Sequence, residues 1–279
     1  MTDNEELEPG LYIISLPIGN AKDITIRALE YLRKVDEIYC EDTRVTRKLF
    51  SIYEIKKKLN VYHDHNGELV RPKIIKKIKD GKSIGIVSDA GTPLISDPGY
   101  KLVLLLKKEG LNITSCPGVS APITALTLSG LPTDSFYYLG FLPNKNKDRY
   151  KLLDEVRNLK TSIIVFETAK KINKTLEDLI KTLGNREISI CREMTKKFEE
   201  IISGRLEDVF STLKSRNLKG EIVLVVGAQE NRRSNINIDE IITSHKGKHS
   251  PSELAKIISN KTGLPKSDIY NKIIKKKEI

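Results

Sequence analysis

Hydrophobic and polar stretches alternate regularly over the first half of the chain. Short apolar runs, LYIISL, EIYC, LNVY, SIGIV and NITSC, have the length and composition of buried strands. Between these runs, apolar residues recur at helical spacing, as at Ile74, Ile75 and Ile78. The alternation predicts an α/β domain over residues 10–133, in which a polar loop follows each strand. Ligands of open α/β sheets bind at these strand ends.

The pattern changes after residue 134, but it still combines strands and helices. The runs FYYLGFL, SIIVFE, EISICRE and EIVLVVGA predict strands, with helices over about residues 152–159 and 172–183. We therefore expect a second α/β domain over residues 134–229. The acidic, polar residues 1–9 lack the features of a signal peptide, and we expect them to be disordered.

Residues 230–279 form a separate, polar and helical pattern. The stretch SPSE (residues 250–253) is a capping box with proline at the first helical position. Two amphipathic helices are predicted after it, with a break near Gly263 and Pro265. This extension holds 11 Lys and Arg against 6 Asp and Glu. A basic helical hairpin can dock on RNA, but a packing appendage with solvated lysines explains the same pattern.

The whole chain of 279 residues has a net charge of +11 and a pI of about 9.3. Such a charge favours an anionic partner, most often nucleic acid, although a lysine-rich composition explains it equally well. The longest apolar run is too short to cross a bilayer, so we expect no membrane association. Three scattered cysteines without metal or redox spacing suggest buried thiols in a reduced, cytoplasmic protein.

The loop SDAGTPLISDPG (residues 88–99) is the most informative stretch of the sequence. It joins a predicted strand to a predicted helix and contains no Lys or Arg, one of which a phosphate site would usually include. Its small residues allow a ligand to approach the backbone, and its two carboxylates suit a ligand with positive charge and a ribose. We interpret Asp89, Gly91 and Thr92 as ligand-binding, and Asp97 as the N-cap of the next helix with Pro98 at the first helical position.

Several common functional patterns are absent from the sequence. Neither GxGxxG after the first strand nor GxxxxGK[ST] occurs, which disfavours a dinucleotide-binding Rossmann site and a P-loop NTPase. The pair His63 and His65 lacks further metal ligands nearby, so we expect a polar lining or solvated side chains and no metal site.

Eight motifs in order carry a resemblance to a known family. They are LPIGNAKDITIRAL, YCEDTR, HDHN, VSDAGTPLISDPGY, PGVSA, GLPTDSFYYLGFLP, REMTK and KGEIVLVV. Together they resemble the tetrapyrrole (class III) methylase superfamily, and more closely its branch of small-subunit ribosomal RNA (cytidine-2′-O)-methyltransferases. The resemblance covers roughly residues 10–229, and SDAGTPLISDPG and GFLP distinguish this branch from the porphyrin-modifying enzymes.

The resemblance implies two α/β domains with S-adenosylmethionine in the cleft between them, and a homodimer. It also implies 2′-O-methylation of a cytidine in 16S ribosomal RNA. The cofactor contacts that it implies, together with those inferred above for the loop of residues 88–99, are Ile18, Asp89, Gly91, Thr92, Ser120, Ala121, Phe166, Met194 and Gly220.

The residues leave the general base open. A carboxylate or histidine could accept the proton of the ribose hydroxyl, and the candidates are Asp89, His63, His65 and Glu41. Arg44, Lys145 and Lys147 are candidates for contacts with RNA phosphates. Two other functions compete with this prediction: methylation of a tetrapyrrole precursor, and RNA binding by an assembly factor without methyl transfer.

Overall fold

The computed structural model describes residues 6–229, 242, 249–262 and 265–275. The chain divides into two compact units, residues 1–228 and residues 229–279. The first unit contains two five-stranded sheets, and the predicted α/β architecture is confirmed. The division of this unit into domains at about residue 133 stays a prediction.

The first sheet is entirely parallel, with the strand order β3-β2-β4-β1-β5. Its strands are β1 (Gly10–Ile14), β2 (Glu37–Cys40), β3 (Leu59–Val61), β4 (Ser83–Ile86) and β5 (Ile113–Cys116). A short 3₁₀ helix (Ala21–Asp23) precedes the first α-helix, and the helices that connect or follow the strands are α1 (Ile26–Lys34), α2 (Thr43–Ile52), α3 (Gly67–Lys79), α4 (Tyr100–Lys108) and α5 (Ala121–Leu128). Parallel strands require such crossovers, so all the loops that leave the strands lie at one edge of the sheet.

The second sheet is mixed, with the strand order β6-β7-β10-β8-β9. Its strands are β6 (Phe136–Phe141), β7 (Ser162–Thr168), β8 (Glu187–Arg192), β9 (Glu200–Arg205) and β10 (Glu221–Val226). Its helices are α6 (Asn146–Glu155), α7 (Ile172–Leu183) and α8 (Leu206–Leu213). Only β6 and β7 pair in parallel, whereas the other neighbours are antiparallel.

A shared apolar cluster joins the two halves of the first unit. Ala125 and Leu126 of α5 pack with Ile164 of β7 and Val223 of β10, and all four side chains are buried. Separate apolar clusters fill the two faces of the first sheet and the space between the second sheet and its helices. The joint cluster fixes the edge of the first sheet against the second sheet, and a cavity lies at this junction.

The structure differs from the sequence prediction in one strand and two helices around the second sheet. Strand β9 and helix α8 were not predicted, because EIISGR alternates only weakly and follows a polar stretch. Helix α6 begins at Asn146, earlier than the predicted start at residue 152. The polar first turn of α6 carries little apolar periodicity, which explains the late predicted start.

The beginning of the chain and the second unit are described only in part. Of the predicted disordered segment, residues 1–5 lie outside the described residues, while Leu7 packs against a core cluster and the Glu8 carbonyl accepts a hydrogen bond from Tyr12 (2.8 Å). In the second unit, α9 (Pro251–Thr262) and α10 (Lys266–Lys275) confirm the predicted pair of helices. The capping box is also present, since Ser250 N donates to Glu253 Oε2 (3.0 Å) and Glu253 N donates to Ser250 Oγ (3.3 Å). Across the described parts of the chain, none of the helices has both the length and the apolar character needed to span a membrane.

Candidate active site

Three loops at the edge of the first sheet are tied together by hydrogen bonds. Leu16, after β1, exchanges two backbone hydrogen bonds with Gly91 in the loop after β4 (2.8 and 3.0 Å). Ser15 Oγ donates to Thr92 Oγ1 (3.2 Å), and Thr92 Oγ1 donates to the carbonyl of Val119 after β5 (2.9 Å). The loops after β1, β4 and β5 therefore form one framework instead of three independent segments.

Gly91 occupies a backbone conformation that this framework requires. Its φ angle is +73°, which glycine adopts without the steric penalty of other residues. A Cβ atom at this position would lie 3.2 Å from Ile18 Cγ2, so the loop after β1 packs directly on it. The small residues of SDAGTP thus serve the close packing of two binding loops.

The framework forms one wall of a cavity of about 420 Å³. The second wall comes from the adjacent strands β7 and β10, whose register places Phe166 beside Val223 and Thr168 beside Glu221. The residues that line the cavity are Ile18, Glu41, Asp89, Ala90, Gly91, Thr92, Ile95, Ser96, Asp97, Ser120, Ala121, Pro122, Phe141, Phe166, Glu167, Thr168, Gly220, Glu221, Ile222 and Val223. Both sheets therefore contribute to a single site.

The charge of this lining is entirely negative among the described residues. It includes five carboxylates, of Glu41, Asp89, Asp97, Glu167 and Glu221, and no Lys, Arg or His. Two of them are already engaged. Glu167 is buried and accepts hydrogen bonds from Thr168 N (2.7 Å) and Thr175 Oγ1 (2.5 Å), and Glu221 Oε2 lies 2.8 Å from Lys196 Nζ. The other three, Glu41, Asp89 and Asp97, leave a negative environment that favours a cationic ligand.

Three of these carboxyl groups, Glu41, Asp89 and Asp97, influence one another. The pKa of Asp97 is raised to about 6, mainly by burial and also by the charges of Glu41 and Asp89, while a hydrogen bond with Ser88 opposes the rise. Burial also raises the pKa of Glu41, as do the charges of Asp89 and Asp64. The pKa of Asp89 is raised by burial, while the hydrogen bond from Asp42 N to Asp89 Oδ1 (3.1 Å) lowers it. Shifted carboxyl groups within a cavity are typical of functional sites.

The N-cap assignment of Asp97 is wrong. Helix α4 begins at Tyr100, its N-cap is Gly99, and that residue has a φ angle of +142°. The Asp-Pro pair therefore ends two residues before the helix begins, and Asp97 faces the cavity. The glycine directly before the apolar run YKLVLLL is the sequence signal that could have corrected the assignment.

Most of the other predicted ligand-binding residues line the cavity, with one exception. Ile18, Asp89, Gly91, Thr92, Ser120, Ala121, Phe166 and Gly220 all contribute to its wall, as does the candidate base Glu41. Met194 does not: it is buried in the apolar cluster with Ile18 and Val223. Their contacts with a cofactor stay a prediction.

The structure does not bring His63 and His65 to the cavity. They lie in the turn after β3, which is an edge strand of the first sheet. His63 N donates to Asn66 Oδ1 (2.9 Å), and Asn66 N donates to His63 Nδ1 (3.2 Å), so this histidine helps to form the turn before α3. In the described residues, no group of three or more His, Cys, Asp or Glu side chains could hold a metal ion.

The predicted RNA contacts also lie outside the cavity lining. The Arg44 side chain is 83% exposed, and its Nη2 atom lies 2.6 Å from Asp42 Oδ2. Lys145 and Lys147 are exposed at the beginning of α6. Several lining residues were missed by the sequence interpretation, among them Ile95, Ser96, Phe141 and Glu221.

The cavity fits S-adenosylmethionine in size, polarity and charge. Its volume lies within the range of small-molecule sites, and its apolar lining (Ile18, Phe166, Val223) can contact an adenine ring. The hydroxyls of Thr92 and Ser120 can bind polar groups, and the carboxylates complement a sulfonium charge.

The chain is similar to known proteins over most of its length. The family described as Tetrapyrrole (Corrin/Porphyrin) Methylases matches residues 10–209. The chain is 40% identical to "Ribosomal RNA small subunit methyltransferase I" of Halalkalibacterium halodurans, covering 94% of this chain and 93% of that protein. It is 44% identical to the protein of the same name from Rickettsia prowazekii, covering 98% and 95%.

Solved structures support the same fold at low sequence identity. Diphthine synthase has a TM-score of 0.62 at 17% identity, with 78% of this chain and 89% of that chain covered. Uroporphyrin-III-C-methyltransferase from Thermus thermophilus has a TM-score of 0.57 at 17% identity, with 81% and 98% covered. The ordered motifs, the cavity between the two sheets and these similarities lead to one conclusion: this chain belongs to the tetrapyrrole methylase family, in the branch of the ribosomal RNA small subunit methyltransferases I.

Proposed function

We propose that this protein transfers a methyl group from S-adenosylmethionine to the ribose 2′-hydroxyl of a cytidine in small-subunit ribosomal RNA. The observation that carries the proposal is a cavity whose described lining carries carboxylates and no Lys, Arg or His, in a chain that matches ribosomal RNA methyltransferases over almost its full length. The cytidine and the 2′-hydroxyl come from the resemblance of the eight motifs. A tetrapyrrole substrate is not favoured, because the chain is only 17% identical to uroporphyrin-III-C-methyltransferase but 40–44% identical to ribosomal RNA methyltransferases.

When bound, S-adenosylmethionine supplies a methyl group on a positively charged sulfur. Asp89 is positioned to favour that charge, since one of its oxygens is held by Asp42 N while its side chain lines the cavity. The buried apolar wall of Ile18, Ile222 and Val223 excludes water from the reacting groups. These residues bind and orient the donor without taking part in a proton transfer.

The ribose hydroxyl must lose its proton as its oxygen bonds to the methyl carbon and the carbon–sulfur bond breaks. We propose that Asp97 accepts this proton, with Glu41 as the second candidate. With a pKa of about 6, Asp97 is ionised at neutral pH but more basic than an ordinary aspartate. A proton acceptor is most effective when its pKa lies near the working pH.

Four further parts of the proposal concern the partners and the location of the protein. Arg44, Lys145 and Lys147 are proposed to contact RNA phosphates, which their exposure permits. We also propose that the protein is a homodimer, that the basic extension contacts RNA, and that it acts in the cytoplasm. Light scattering of the purified protein tests the dimer, and a mass of about one chain would contradict it.

The decisive test of the function is mass spectrometry of ribosomal RNA from cells with and without the gene. We expect one 2′-O-methylcytidine of the small-subunit RNA to disappear in the deletion strain and to return when purified protein is added with S-adenosylmethionine. An unchanged methylation pattern would show that the proposed substrate is wrong.

The cofactor site has a separate test in two variants of Asp89. Asp89→Asn keeps an oxygen that can accept the hydrogen bond from Asp42 N but removes the negative charge. Asp89→Ala removes both. We expect the calorimetric Kd for S-adenosylmethionine to rise roughly 10- to 100-fold in both variants, because hydrogen bonds and contacts to charged groups contribute about 1.5–3 kcal/mol. A normal Kd for Asp89→Asn would show that this residue only anchors the loop after β2.

A further inference from the structure

Some apolar residues that line the cavity are buried, and others are exposed to solvent. Ile18, Ile222 and Val223 are at most 8% exposed. Two other apolar residues of the same lining, Ile95 and Phe141, are 43% and 57% exposed. Isolated exposed apolar residues are ordinary on protein surfaces. Here, however, both residues line one cavity, Ile95 from the loop after β4 of the first sheet and Phe141 from β6 of the second sheet.

The two exposed residues flank a direct contact between the two walls. Ile95 precedes Ser96, whose Oγ atom lies 2.6 Å from the hydroxyl of Tyr138 in β6. A Cβ atom on Gly140, the residue before Phe141, would lie 2.9 Å from the same Ser96 Oγ. Ile95 and Phe141 therefore lie at the same part of the rim, and we call this part the apolar rim.

A β-bulge directs Phe141 toward the cavity. Along β6, Tyr138 pairs with Ile164 and Phe141 pairs with Phe166, so three residues of β6 span two residues of β7. Without the bulge, Tyr138 and Phe141 would lie on opposite faces of the sheet, because side chains alternate along a strand. The bulge places both on the face of Phe166.

The ring of Phe141 is held in place although it is exposed. It packs edge-to-face against Phe166, with ring centroids 5.4 Å apart and an interplanar angle of 63°. Phe166 in turn packs edge-to-face against Tyr138, also at 5.4 Å. A supported aromatic ring with an open surface is a binding platform for a flat partner, because it loses little conformational freedom on binding.

We propose that the apolar rim binds the base of the target nucleotide, with the cytosine ring stacked on Phe141 and in contact with Ile95. This inference rests on the proposed function and adds the place of the base. Proteins that read RNA by sequence generally stack unpaired bases on aromatic side chains. Enzymes that modify one nucleotide bring it out of its stack. Asp97 follows Ile95 by two residues in the same loop and also lines the cavity, so a base on the rim has its ribose near this carboxylate.

The methyl-transfer kinetics of three variants test the apolar rim. Small ribosomal subunits from the deletion strain serve as the substrate. Phe141→Ala removes the ring, Phe141→Trp keeps a stacking surface, and Phe198→Ala is the matched control. Phe198 is 65% exposed and does not line the cavity. We expect Phe141→Ala to lower kcat/KM for the RNA roughly 5- to 150-fold, which corresponds to the usual contribution of one stacked base. Phe141→Trp should retain most of the activity, and Phe198→Ala all of it.

Two further measurements separate the alternatives. The calorimetric Kd for S-adenosylmethionine should change less than twofold in Phe141→Ala. The emission of a fluorescent cytosine analogue at the methylated position of an RNA fragment should change when the wild-type protein binds, and Phe141→Ala should lose this change. Normal kcat/KM in Phe141→Ala overturns the inference, and so does an equal loss of cofactor affinity, which would assign the ring to the cofactor. A wild-type protein that transfers no methyl group would instead overturn the proposed function.

Discussion

The first sheet contributes to the cavity with loops, whereas the second sheet contributes mainly with the strands themselves. All strands of the first sheet are parallel, so the loops after β1, β2, β4 and β5 gather at one edge and carry Ile18, Glu41, Asp89, Asp97 and Ser120 to the cavity. In the second sheet β7 and β10 are antiparallel. The end of one therefore lies beside the beginning of the other, and the wall consists of Phe166 to Thr168 and Gly220 to Val223.

This difference separates two kinds of contribution to the site. The loops of the first sheet hold three carboxyl groups with raised pKa values, Glu41, Asp89 and Asp97. The second sheet contributes apolar side chains, two engaged carboxylates (Glu167 and Glu221) and backbone groups. We therefore expect substitutions of the carboxyl groups in the first wall to affect the chemical step, and substitutions in β10 and the residue before it to affect folding and the shape of the cavity.

The largest expected effect comes from Asp97 in the first wall. Asp97→Asn cannot accept a proton, and we expect kcat to fall roughly 100- to 10,000-fold, the usual contribution of a general base. In the wild-type protein, kcat should rise with pH up to about 6 and be constant above it, because Asp97 must be ionised to act. Methyl-transfer rates at saturating cofactor between pH 5 and 8 provide the measurement.

A matched variant distinguishes a proton acceptor from a general loss of charge. Asp134→Asn removes a carboxylate from an exposed position that does not line the cavity. This variant should keep the wild-type rate and the same pH profile. If Asp97→Asn retained both the rate and the rise up to pH 6, the first wall would not supply the base through Asp97.

The second wall is tested by Gly220→Ala. Gly220 has a φ angle of +94°, and an added Cβ atom would overlap the carboxyl group of Glu193. That carboxyl group is engaged, since Glu193 Oε1 accepts hydrogen bonds from Glu221 N (3.0 Å) and Lys196 Nζ (2.9 Å). We expect a loss of about 2–4 kcal/mol in the free energy of unfolding, from backbone strain and displacement of Glu193.

Gly110→Ala is the control for backbone strain alone. Gly110 has a φ angle of +66°, and an added Cβ atom would meet no atom within 4 Å. It should lose only about 1–2 kcal/mol, the usual cost of a left-handed conformation for a residue other than glycine. Urea denaturation of both variants measures the difference, and equal losses would mean that Glu193 moves aside freely.

The same difference between the walls explains how far the sequence could predict the site. The parallel sheet was predictable because each strand ends in a distinctive loop, and most of the predicted ligand-binding residues line the cavity. Asp97 was assigned wrongly because Asp-Pro before an apolar run is typical of a helix start, while the φ angle of Gly99 depends on the tertiary structure. Phe141 was missed because its direction depends on the bulge in β6, which the alternation of apolar residues does not reveal.

Ionisation of Asp97 should also change the stability of the fold, and we expect this effect to be smaller than the effect of Asp97 on kcat. Its pKa is about 6 in the folded chain, above the ordinary value of 3.8, so its ionised form destabilises the fold. The stability contributed by the protonated group is fully present below about pH 4 and lost as the pH rises through about 6. The shift corresponds to at most about 3 kcal/mol, and solvent at the cavity mouth reduces it.

Asp97→Asn, which cannot ionise, should therefore be more stable than the wild type by about 1–2 kcal/mol at pH 7.5 and equal to it at pH 4. Urea denaturation at the two pH values provides the comparison. A variant that gains the same stability at both pH values would show that ionisation of Asp97 is not the cause.

The smallest expected effect concerns the contact between the two walls. The Tyr138 hydroxyl in the second wall lies 2.6 Å from Ser96 Oγ in the first, and Tyr138→Phe removes this hydrogen bond while keeping the ring against Phe166. Because the contact is open to solvent, we expect a loss of only about 0.5–1 kcal/mol in the free energy of unfolding. Ser96→Ala should have the same effect, and the double variant should lose no more than either one alone, since both changes remove the same bond. If the two losses were additive, each residue would stabilise its own wall, and this hydrogen bond would not couple the loops of the first sheet to the strands of the second.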